Sequence, residues 1–76
     1  MKKVTTKQQL QNLLNPKEML YIEYITQPLI PSAADNLCIA LVAHLRFGTR
    51  GYFLSPFMQT VYNLTANWLD NNRKLN

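Results

Sequence analysis

"LNPKEMLYIEYIT", Leu14 to Thr26, decides between an all-helical chain and a mixed one. The tyrosines and isoleucines of "YIEYIT" favour a strand. The residues just before them favour a helix, and more specifically. Asn15 suits the N-cap, and Pro16 suits the first helical position, where a missing N–H breaks no bond. Glu18 stands three residues after the cap, the spacing of a capping box, and Leu14 and Met19 occupy the two positions of a hydrophobic staple. A cap fixes where a helix starts, whereas propensity is only a bias spread along the segment. The stretch therefore predicts a helix over 16–26, with a strand over 19–26 as the rival. Pro28 biases Gln27 away from helical geometry and supplies the stop.

The punctuation repeats on both sides. Upstream, Thr5 or Thr6 suits the N-cap, Thr6-x-x-Gln9 fits a capping box, and Leu10, Leu13 and Leu14 fall on one face, which predicts a short helix over 5–14. Downstream, "QPLIPS" reads as a rigid connector whose Leu29 and Ile30 dip into the core. Ser32 is the expected N-cap of a helix over 33–47, with Asp35 near its positive end. That helix, "AADNLCIALVAHLRF", is apolar almost all round, so it belongs at the centre or under a partner chain. Gly48 closes it as a C′ residue.

Ser55 and Pro56 open a last helix over 55–71. At about 100° per residue, Leu64, Phe57, Trp68, Val61, Thr65, Met58, Leu69 and Tyr62 share one broad face, read as core. Residues 72–76, "NRKLN", read as a frayed tail. The expected fold is all-α: a single small domain, a compact bundle of about four short helices around an apolar third one. A small hairpin at 46–54 is the one departure that the pattern allows, with Gly48 and Gly51 at its turn.

Composition narrows the function. Seventy-six residues bury only a modest core, and Cys38, the only cysteine, cannot form a disulfide within the chain. A lone cysteine in an apolar run fits a reducing, cytoplasmic compartment. One Cys and one His cannot build a structural zinc site. The polar stretch Val4–Gln9 is no secretory h-region, and the longest apolar run, Leu37 to Ala43, is too short for a membrane span.

No catalytic set, cofactor motif or metal site is read. Glu18 and Asp35 are accounted for by helix starts, Asp70 lies on a polar face, and Glu23 points outward. Cys38 and His44 are separated by about 240° on a helix, so a thiol–imidazole pair does not form within it. His44 reads as a hydrogen-bonded core or interface histidine. Tyr21 and Tyr24 cannot both share the inner face of their helix, which leaves one for the surface or an interface.

The net charge of +4 allows an anionic partner without requiring one, and the terminal charges Lys2, Lys3, Arg73 and Lys74 read as solubilising. Two functions from different classes are compatible with these features. The first is a small non-enzymatic binding or regulatory protein acting on a protein partner, of the kind phages and plasmids make as inhibitors, and a homodimer. The alternative is a basic, winged-helix-like nucleic-acid-binding transcriptional regulator. The stretch "RFGTRGYFLSPF", 46–57, carries the candidate contact residues Arg46, Arg50 and Tyr52, with Phe47 and Phe53 packed against Phe57. A plain connector is the other reading of the same loop.

Overall fold

The computed structural model describes residues 6–49 and 54–74. Among them are four helices and no strand: α1 (Thr6–Gln11), α2 (Pro16–Thr26), α3 (Pro31–Phe47) and α4 (Pro56–Lys74). The architecture is a small all-α bundle. α3 packs against both α1 and α4, and it buries Leu37, Cys38, Ala40, Leu41 and Val42 between them.

α1 is shorter than the leucine pattern predicts. The chain leaves it through Leu13 N–H to the Leu10 carbonyl (2.9 Å) and Leu14 N–H to the Gln11 carbonyl (3.3 Å), the tighter i→i−3 bonds of a closing turn. Asn15 must be extended to cap α2, and its ψ of 171° shows that it is. Leu10 nevertheless reaches the core, with Leu13 and Leu14 packed beside it.

The box at the start of α2 is formed in both directions. The Glu18 N–H donates to Asn15 Oδ1 (2.9 Å), and the Asn15 N–H donates to Glu18 Oε1 (3.0 Å). Local capping thus settles 19–26 as helix against its β propensity. The stop at Thr26 has a different cause from the one expected. Gln27 keeps helical angles (φ −54°, ψ −46°), so the residue before Pro28 is not pushed out of that region. Pro28 has no N–H with which to continue the ladder, and that ends it.

α3 begins earlier than Ser32. Ile30 is the N-cap residue, with no side-chain cap bond, and Pro31 takes the first helical position. The expected burial of Ile30 fails for the same reason: as a cap residue it is turned outward and exposed, while Leu29 alone packs on the core. At the far end Gly48 adopts φ +68° and its N–H bonds the His44 carbonyl at 2.9 Å. Residues 46 and 47 belong to α3 and not to a hairpin, and Phe47 is exposed rather than packed on Phe57. Arg50, Gly51, Tyr52 and Phe53 lie outside the described residues.

Ser55 Oγ accepts from the Met58 N–H (3.4 Å) and α4 runs on to Lys74, past the expected end at 71. The extra turn has a cause. Asn72 Nδ2 donates to Glu18 Oε2 (3.2 Å) and Arg73 Nη2 donates to the Leu13 carbonyl (2.7 Å). Arg73 is therefore a structural tie and not a solubilising tail. Among the described residues no helix is long and apolar enough to cross a membrane.

Candidate functional site

The broad apolar face of α4 does two jobs. Its eight residues span about 160° on the wheel, wider than the stripe of about 100° that one core contact needs. One half, Met58, Tyr62, Thr65 and Leu69, is buried, together with Ala66 from the face read as polar. In the other half, Val61 and Trp68 are half-buried and pack against the core, and Phe57 and Leu64 stand exposed. Phe57 is 69 % exposed and Leu64 64 %, against their expected place in the core.

That outer half faces α2 across a groove of about 550 Å³. α2 supplies Tyr21, Tyr24 and Ile25, and the connector supplies Pro28 and Leu29. Phe57, Val61 and Leu64 form the opposite wall, and Gln27 and Thr65 add polar side chains to the lining. Among the described residues no charged side chain lines the groove. Tyr21 stacks on Trp68, ring centroids 4.1 Å apart and planes 10° apart, beside this wall. Tyr24, 75 % exposed, stands on the rim, so of the two tyrosines it is Tyr24 that goes to the surface. Leu20, one turn earlier, is exposed beside it.

The candidate residues from the loop are not brought into this groove. Arg46 is exposed on the last turn of α3, and Arg50 and Tyr52 lie outside the described residues. The start of the connector is anchored from below, because Tyr62 Oη donates to the Thr49 carbonyl at 3.2 Å.

Two polar clusters each pair a largely buried side chain with a more exposed one. The Glu18 carboxylate is 1 % exposed. Oε1 accepts from the Asn15 N–H and Arg73 Nη2, and Oε2 accepts from Asn72 Nδ2 and Arg73 Nε. Burial pushes this carboxyl's pKa up. The Asn15 N–H, the Arg73 guanidinium and the Asn72 amide outweigh burial and hold it below the ordinary carboxylate value.

The second cluster joins α3 to α4. His44 Nε2 lies 3.1 Å from Asp70 Oδ1, and the ring meets Tyr62 edge-on at 6.2 Å. Nδ1 is buried without a hydrogen-bond partner. An Nε2–H donates to Asp70 Oδ1 in this pair. This histidine locks two helices together. Cys38 is buried, and burial with the nearby Asp35 charge pushes its thiol pKa up, which keeps it protonated and unreactive. Among the described residues no three His, Cys, Asp or Glu side chains converge on a point.

Comparison with protein-family models, curated proteins and solved structures finds no match.

Proposed function

We propose that this chain is a small, non-enzymatic, cytoplasmic binding protein that regulates a protein partner, and that the α2–α4 groove is its contact face. One observation carries the reading: on a chain of net charge +4, an uncharged apolar groove stands open, walled by Tyr24, Phe57 and Leu64. Tyr24 and Phe57 alone, at about 150–250 Å² per aromatic side chain, expose roughly 200–350 Å². Leu64 adds to the same wall, and an apolar patch of roughly 300–600 Å² is often functional. An inhibitor of the phage or plasmid type fits this economy of one rigid face on a minimal scaffold.

A nucleic-acid regulator draws less support. The helix before a wing has to read bases, and α3 commits its length to the core. The described basic residues, Lys7, Lys17, Arg46, Arg73 and Lys74, are spread over four helices, and Arg73 is held by Glu18.

Affinity capture tests the proposal, with the wild type compared with the Phe57→Glu/Leu64→Glu double variant in lysate of the source cells. A protein held by the wild type and released by the variant supports the groove. The same protein held by both, or nucleic acid alone with the wild type, overturns it.

A further inference from the structure

We propose that α2 is a latched flap: it opens as a unit from a core made by α1, α3 and α4, and the Glu18–Arg73 contact is its catch. The inference concerns α2 itself and does not depend on what the groove binds.

Burial sets the partition. α3 and α4 each bury five side chains, whereas α2 buries two, of which Ile22 alone is apolar and the other is the Glu18 carboxylate. Tyr21 and Ile25 pack on the core only in part. α1 is short, but it packs directly on α3, so its place does not require α2. A segment with few buried apolar contacts opens at a lower free energy than the core beside it.

The fastening is one-ended. Glu18 Oε2 accepts from Asn72 Nδ2 and Arg73 Nε, and Tyr21, one turn along α2, stacks on Trp68, one turn back along α4. Towards the other end, Tyr24 and Ile25 are parted from Phe57, Val61 and Leu64 by the open groove. Arg73 Nη2 also holds the Leu13 carbonyl, so the same guanidinium catches the turn that leads into α2. Its side chain is partly exposed, and water can take over its donors as it lets go.

Both ends of α2 allow the movement. The turn at 12–15 precedes it, and the connector at 27–30, where Pro28 interrupts the ladder, follows it. Opening lifts Tyr21 from Trp68 and removes one wall of the groove. The latch thereby sets whether α4 presents one wall of a groove or an open face.

Native-state hydrogen exchange of the full chain, read residue by residue in low urea, separates the two openings. The amides of 20–26 are expected to exchange through an opening at least about tenfold more populated than the one that frees 37–42. Its urea dependence should be weaker, because less surface is exposed. Two variants distinguish a flap from a plainly structural contact. Arg73→Ala removes an interaction lost in both openings, and should speed both sets of amides by about tenfold. Val42→Ala removes burial lost only when the core unfolds, so it should speed 37–42 by about tenfold and leave 20–26 unchanged. One shared opening free energy for both sets, equal acceleration of both by Val42→Ala, or unchanged exchange of 20–26 in Arg73→Ala overturns the proposal.

Discussion

Arg73 reaches back 55 residues in sequence to Glu18, with Nε 3.2 Å from Oε2 and Nη2 3.3 Å from Oε1. The pair closes the bundle where both α2 and α4 are otherwise weakest, at a helix start and a helix end. The carboxylate that caps α2 is the one that ties down the last turn of α4. One buried group therefore serves two helices.

Removing that group should cost more than a surface ion pair does. Glu18→Gln is expected to lower unfolding free energy by about 2 kcal/mol, the scale of charge-assisted hydrogen bonds out of water. Arg73→Ala should cost somewhat less, about 1–2 kcal/mol, because its side chain is 43 % exposed and partly screened. Urea unfolding of both variants against wild type measures this. Losses within about 0.5 kcal/mol for both, the range of an ordinary surface substitution, would contradict it.

The same carboxylate sets an acid limb. Its pKa is lower in the folded chain, so below neutrality the unfolded chain binds more protons and stability rises with pH. The contribution of Glu18 is complete above the unfolded carboxylate value and is lost as pH falls through the folded one. Melting temperatures across the acidic range should therefore fall more steeply for wild type than for Glu18→Gln. Parallel curves for the two proteins would be inconsistent with this assignment.

Leu64 and Leu69 belong to one helix and one wheel face, yet they should respond oppositely to truncation. Leu69 is fully buried, and Leu69→Ala is expected to cost about 3 kcal/mol through lost burial and an unfilled cavity. Leu64→Ala, measured dilute, should change stability by less than about 0.5 kcal/mol. Equal losses would mean that the outer stripe is core after all.

Gly48 holds φ +68° with open space where a Cβ would sit. Gly48→Ala meets no steric neighbour, so the whole cost is the left-handed backbone, about 1 kcal/mol. Thermal unfolding of this variant isolates that contribution. A neutral result would show that the end of α3 relaxes at no cost.

Caps are the legible part of this chain. Asn15, Pro16, Glu18, Gly48 and Ser55 each announce a helix end by local chemistry, and a local signal survives in any tertiary context. Long-range placement is less legible. Arg73 reads as a solubilising tail because nothing near it in sequence points to Glu18. Pro31 reads as part of a connector because Ser32 beside it is the commoner cap. The groove is half legible: an apolar face of about 160° on α4 is too wide for one core contact, yet a wheel does not say which half the core takes. Ala66 decides that. It is fully buried on the nominally polar side, while Phe57 and Leu64 are exposed at the other edge of the apolar face.

The central claim is that the working surface is the α2–α4 groove and not the loop after α3. Amide chemical shifts recorded as the protein captured by the wild type is added to the chain test it most directly. The account predicts shifts confined to residues 20–29 and 57–68. Shifts centred on Arg46 and the residues just after Gly48, with the groove unmoved, would contradict it.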